Sequence, residues 1–284
     1  SVTARGVCWS TSSTPTINDS KTIDGGGIGD FQSNITGLSA NQTYYVRAYA
    51  TNTTGIGYGS AVQFTSLGGG SSTVTDIDGN IYNTVTIGSQ IWTVENLMTT
   101  KYNDGTDIPN VTNNTEWGNI TTGAYCNYDN NQSNVATYGR LYNWAAVNTG
   151  KLAPPGWHVP TEGDFEILEN YLITNGYNYD GTLLLNKIAK SLCAKTNWIL
   201  MDEVGTPGYN PETNNSTGFT ALPGSIRHIH GGVGNTGQGG YWWSSTEITE
   251  IGADYRSATE HYVGFWSLGY INKKSGVSVR LIKD

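Results

Sequence analysis

Gly156-Trp157-His158-Val159-Pro160-Thr161-Glu162-Gly163-Asp164-Phe165 is the stretch from which the fold can be read. Proline fits the start of a helix and not its interior. Thr161 with Asp164 three residues on has the spacing of a capping box, Asp standing where Glu is usual. Beyond it Phe165, Leu168 and Leu172 fall on one helical face, with Ile167 and Tyr171 beside them. An aromatic strand end, a capped start and an apolar stripe predict a helix anchored at Thr161. No other helix start in the chain is as well marked.

Around this anchor the pattern is mostly β. Before it, Val74–Tyr82 and Val85–Trp92 read as a hairpin, with Asp78-Gly79 as a turn signal. Tyr138–Val147 suggests a short helix under a long polar loop. After the anchor, Leu184, Leu185, Ile188 and Leu192 suggest a second amphipathic helix, with Lys187, Lys190 and Lys195 solvated. The last third returns to strands at 241–245, 255–259, 261–266 and 276–282, and Asn272–Gly276 turns the final hairpin.

The first 66 residues have a separate pattern. Arg5-Gly6-Val7-Cys8-Trp9 and Thr43–Ala50 alternate as half-buried strands, with shorter candidates at 31–35 and 60–64. Asp24-Gly25-Gly26-Gly27 and Asn52-Thr53-Thr54-Gly55 supply turns. Residues 67–73 form a Gly/Ser linker, read as a plain spacer.

At 284 residues the chain is long enough for two domains with cores of their own. A net charge of −8 leaves no basic stripe to neutralise phosphates, which argues against nucleic acid. No run of apolar residues is long enough to span a membrane. The opening on Ser1 without a leader reads as a processed product. Cys8 reads as a small buried hydrophobe, and Cys126 and Cys193 are either a pair or two free thiols.

Two resemblances follow from these residues. Leu141–Val147, Leu152–Thr161, Gly218-Phe219-Thr220-Ala221-Leu222-Pro223-Gly224, Gly240-Tyr241-Trp242-Trp243-Ser244-Ser245-Thr246 and Gly276-Val277-Ser278-Val279-Arg280 occur in order across roughly 74–284. Together they resemble the Fibrobacter succinogenes major paralogous domain. That family is similar to C-type-lectin-like folds and, distantly, to formylglycine-generating enzymes. The resemblance implies a small antiparallel sheet carrying two helices. Relatives carry cysteine where this chain has Ala153, which would be the partner of Cys126.

The run Leu38–Ala50 resembles the last third of a fibronectin type III-like repeat, whose tyrosine caps a corner of the sandwich. Such a sandwich needs about seven strands, and only four or five are visible. Either the chain was cut, or upstream residues are missing, or another chain supplies a strand by β-augmentation. In the last case Arg5, Val7 and Trp9 are the residues expected to pair between chains. Repeated head to tail, this contact would give a pilus-like fibre.

Candidate chemistry is sparse. Tyr128-Asp129-Asn130-Asn131-Gln132-Ser133-Asn134 is rich in oxygen donors, and Asp129, Asn131 and Glu116 suit a structural calcium ion. A solvated loop is the plainer reading, because EF-hand spacing and the Glu-Pro-Asn or Gln-Pro-Asp triplet of calcium lectins are missing. No other cofactor is expected. His228 and His230 share a strand face but lack further zinc ligands, and His158 reads as a hydrogen-bonded structural residue.

The reactive cysteine pair of the enzyme relatives has no counterpart after Cys193. Nothing singles out a pair among Asp202, Glu203, Asp254 and Glu260 either, so no enzyme is expected. Trp117, Tyr128, Tyr209 and Trp243 are the aromatic candidates for stacking on a sugar. Trp242 and Trp243 are adjacent on a strand, so one is expected in the core and the other against a loop or a partner. Asn34, Asn41 and Asn52 sit in weak glycosylation sequons.

The expected molecule is mainly β with some α. Residues 1–66 form an incomplete Ig-like β-sandwich, and residues 74–284 an α+β C-type-lectin-like domain. Its expected role is that of an extracellular, non-catalytic structural or adhesive subunit of a bacterial surface. Its partner would be a further copy of itself or another surface protein. The alternative is a glycan-binding module of a surface lipoprotein, with a polysaccharide as partner.

Overall fold

The structure, a computed structural model, describes residues 1–35, 38, 42–66, 72–234 and 236–284. It divides into two compact units, Ser1–Gly70 and Ser71–Asp284. Most of the expected linker, together with Asn41, lies outside the described residues.

In the first unit β1 (Ala4–Ser10), β2 (Ser20–Lys21), β3 (Thr43–Asn52), β4 (Gly55–Tyr58) and β5 (Val62–Thr65) form one five-stranded antiparallel sheet. Among the described residues of this unit there is no second sheet. The organising strand is β3, whose alternating Tyr, Val and Ala residues suit a pleated surface. It pairs with β1 along one edge, from Ala4 opposite Thr51 to Ser10 opposite Tyr45. Along the other edge it pairs with β4 and β5. The β3–β4 hairpin turns where expected, Asn52 Oδ1 accepting from the N–H groups of Thr54 and Gly55.

One face of this sheet is covered by the chain between β1 and β3. Tyr49 Oη donates to Thr22 O, Ile17 N donates to Tyr58 Oη, and the Arg47 guanidinium lies 4.0 Å from the Tyr58 ring centre. Gly6 is needed here, since a Cβ would stand 2.4 Å from Thr22 O. Two expectations fail. Residues 31–35 are not a strand. The glycines after Asp24 do not turn the chain but run beside β1, with Arg5 N donating to Gly25 O and Gly27 N to Val2 O.

The second unit opens with β6 (Thr73–Thr75), β7 (Ile81–Ile87) and β8 (Gln90–Thr93), a meander rather than a single hairpin. Asp76 closes its first turn, accepting from the N–H groups of Asp78 and Asn80, the Asn80 amide and Tyr82 Oη. Then come α1 (Asn114–Asn119), β9 (Tyr125–Asn127), α2 (Val135–Tyr138), β10 (Arg140–Tyr142) and α3 (Trp144–Val147), so the expected 138–147 helix is split by a strand. β11 (Trp157–His158) leads into α4 (Glu162–Thr174). Its capping box is formed as read, and Phe165, Leu168 and Leu172 are buried.

The expected second helix shrinks to α5 (Ala189–Leu192). Its upstream half is a loop gathered by Asn178, whose amide donates to the carbonyls of Thr182, Leu184 and Leu185. The chain ends through β12 (Gly239–Glu247), β13 (Gly252–Thr259), β14 (Ile271–Asn272) and β15 (Ile282–Lys283). Residues 261–266 are not a strand, and 276–281 run extended and buried with isolated bridges alone. β15 inserts between β8 and β11, giving the sheet order β11-β15-β8-β7-β6.

Candidate functional site

Among the described residues, one face of the first unit's sheet is largely uncovered. Register places Arg5, Ala50 and Gly57 in one cross-strand row. A second row runs Val7, Ala48, Gly59, since Gly59 N donates to Ala48 O. Side chains shrink from β1 to β3 and vanish at β4, so the face falls away towards that edge. A Cβ on Gly57 would meet nothing within 4 Å. Ile28 and Phe31 rise on the opposite side, where the Arg5 guanidinium lies 5.1 Å from the Phe31 ring centre and donates to Gly29 O. Between these walls is a groove of about 440 Å3, and a depression of about 400 Å3 shares Val2, Ala50 and Gly57 with it.

Beside the groove runs an unpaired edge. Gly59 bonds to Ala48, so antiparallel alternation turns the backbone groups of Ile56 and Tyr58 outward. Among the described residues those groups have no partner. This corrects the expected pairing residues. Arg5, Val7 and Trp9 lie on β1, an interior strand. Its second edge is taken by β2 and the residues after it, with Thr22 N donating to Val7 O and Asp24 N to Arg5 O. The sequence did carry the right signal: Gly55, Gly57 and Gly59 alternate, which strips one face of a strand bare.

The aromatic candidates of the second unit are mostly interior. Trp117 and Trp243 are fully buried, and Tyr128 is 4% exposed. Each polar tip is satisfied: Trp117 Nε1 donates to Lys274 O, Trp243 Nε1 to Tyr142 O, and Tyr128 Oη meets Gly234 O and Thr236 Oγ1. Only Tyr209, 37% exposed, presents a ring to solvent. Trp242 and Trp243 are both core, in separate clusters on the two faces of β12. The reasoning that one of them must face outward fails because β12 is buried on both sides.

Asp129 lies in a single 3-10 turn, Asn131 between that turn and the next, and Glu116 in the first turn of α1. Asn131 Oδ1 accepts from Ser133 N and Oγ, capping the next turn. Among the described residues no group of three or more His, Cys, Asp or Glu side chains is gathered as a metal site. His228 and His230 are exposed loop residues. His158 bridges two carboxylates, Nδ1 at 2.6 Å from Asp284 and Nε2 at 3.2 Å from Asp164.

Asp254 and Glu169 both bind Arg256, which ties α4 to β13. Burial pushes the Glu169 carboxyl up despite that guanidinium. All three cysteines are free and buried, so Cys126 and Cys193 are not a disulfide. Burial raises both thiols.

The quoted motifs line the cores. Trp144, Val159, Trp243, Val277 and Val279 meet in one cluster, Phe219, Ala221 and Trp242 in the next. The second unit is thus an antiparallel, strand-rich α+β domain sealed by its own last segment. The chain belongs to the family described as Fibrobacter succinogenes major domain, which matches residues 85–283. The comparisons with curated proteins and with solved structures gave no match.

Proposed function

We propose that the chain is a non-catalytic structural or adhesive subunit of an extracellular surface, assembled through its first unit. An extended segment of another copy adds to the outer edge of β4 and lays alternate side chains into the groove above Ala48, Ala50 and Gly57. The observation that carries this is the adjacency of the unpaired Ile56 and Tyr58 backbone to a face with no side chain at Gly57 and only methyl groups at Ala48 and Ala50. Main-chain bonds supply affinity, and the groove selects bulky apolar residues. A contact between unlike surfaces propagates into a fibre. Glycan binding draws less support, because of its four aromatic candidates Tyr209 alone is exposed.

The test is imaging and light scattering of the wild-type protein beside Ile56→Pro and Gly57→Leu. Proline deletes an outward N–H and leaves the inner ladder intact. Leucine fills the groove. Both variants are expected to keep the wild-type circular dichroism and lose assembly. A wild type that stays monomeric at high concentration, or variants that assemble as it does, would sink the reading.

A further inference from the structure

A second cavity, of about 300 Å3, lies wholly within the second unit. It opens between Ile120 and Thr121 after α1, Trp144 and Ala145 at the start of α3, Asn148, and the turn bearing Lys273 and Lys274. In a chain of net charge −8, both ionisable groups of its lining are cations.

The two lysines differ. Lys273 is committed: its Nζ lies 2.5 Å from Glu247 Oε1, donates to Glu250 O and sits 4.7 Å from the Trp144 ring centre. Lys274 is exposed, and among the described residues its Nζ donates only to Gly118 O, at 2.9 Å. No carboxylate reaches it among the described residues. Its backbone is fixed from both sides, N donating to Asn272 Oδ1 and O accepting from Trp117 Nε1. The ammonium is therefore held at the rim with donors to spare.

The neighbouring polar groups show the same division. The Asn143 amide is held on both sides, donating to Thr122 O and accepting from Ala124 N and Ala146 N, and forms a rigid wall. The Thr121 hydroxyl and the Asn148 amide have no partner among the described residues. Between them the lining is Ile120, Ala145 and Trp144.

We propose that this cavity binds a small organic carboxylate, one anionic group on a compact apolar body. A single uncompensated cation selects a monoanion over a polyanion, and the net negative charge of the molecule disfavours extended anionic polymers. The apolar lining asks for a ring or short branched chain, and the volume is at the small end for ligand sites. The proposal is independent of assembly through the first unit.

The experiment is ligand-observed NMR titration of the full chain with benzoate, with benzamide as its neutral counterpart. Benzoate is expected to bind and benzamide to bind at least about tenfold more weakly, the size of one charge-assisted hydrogen bond. Lys274→Ala should lose a similar factor and Lys274→Arg should retain binding. Ala145→Leu, which fills the cavity and keeps every charge, should abolish it. Raising the salt should weaken benzoate binding and leave benzamide unchanged. Equal binding of the two probes, no binding of benzoate at tens of millimolar, or indifference to both Lys274→Ala and Ala145→Leu would overturn the proposal.

Discussion

Arg280 is fully buried, and among the described residues no carboxylate forms an ion pair with it. Its charge is spread over neutral oxygens: Nε donates to Asn96 Oδ1, Nη1 to Thr93 O and Phe219 O, and Nη2 to Thr220 O. The guanidinium also stacks 4.6 Å from the Phe219 ring centre. Burial depresses its pKa, yet the planar fork matches acceptors that a point charge would not. Thr220 sits at φ 58°, unusual for a β-branched residue, and is held there by Asn215 from both its N–H and its hydroxyl.

Arg280→Met should therefore cost about 3–5 kcal/mol in urea unfolding, because it strands several buried acceptors. Arg280→Lys should recover less than half of that loss. A lysine variant within about 1 kcal/mol of wild type would show that the fork geometry is immaterial. The Val279-Arg280 motif is plain in the sequence, but its burial is not. Every acceptor comes from a distant segment, and a charged residue close to the last strand reads as surface.

At the scale of elements, α4 was legible and its successor was not, for a physical reason. Helix α4 carries its start signal in adjacent residues: Thr161 Oγ1 accepts from Asp164 N, and Asp164 Oδ2 accepts from Thr161 N. The loop before α5 is decided by Asn178, 4 to 7 residues ahead of the carbonyls it binds and outside the apolar pattern, which competes for the carbonyls that a helix would use. It leaves Leu184 and Leu185 exposed at 74% and 75% and sets Leu185 at φ 64°. Spacing of apolar residues cannot report such a competitor.

The cap itself gives a pH prediction. Burial works to raise the Asp164 carboxyl, but hydrogen bonds from Thr161 and then from His158 outweigh it and hold the pKa below the ordinary value. A depressed carboxylate contributes stability that is present above the unfolded pKa of about 3.9 and lost as pH falls through the folded value. Asp164→Ala should thus cost about 1 kcal/mol at neutral pH. The gap from wild type should close below about pH 4. Unfolding curves from pH 7 to 2.5 check this, and a gap that widens in acid would contradict it.

At the scale of the molecule, the hydrophobic clusters are unequally shared. All three lie in the second unit, whereas Cys8, Trp9 and Tyr49 are the buried hydrophobic residues described in the first. A sheet covered on one face has little apolar area to set against chain entropy. Amide exchange should accordingly report a lower opening free energy for residues 43–65 than for 239–259. Assembly, where it occurs, should slow exchange at Ile56 and Tyr58 first. Uniform protection across both units would count against this view. Division into a strand-poor N-terminal sheet and a larger α+β domain was readable from glycine placement, strand count and motifs. The open edge was misplaced because strand order, unlike strand identity, depends on pairings such as β1 with residues 20–25 that no local pattern records.

The position of β15 between β8 and β11 reaches into biosynthesis. At about 5–20 residues per second, Trp92 is made roughly 10–40 s before its partner Ile282. For that interval β8 keeps a bare edge, and the oxygens of Thr93, Asn96, Phe219 and Thr220 wait for Arg280. Closure of the second unit therefore waits until Ile282 has left the ribosome. The nascent chain is a natural client for a holdase, and a message broken anywhere ahead of the codon for Arg280 leaves β8 and those oxygens without their partners.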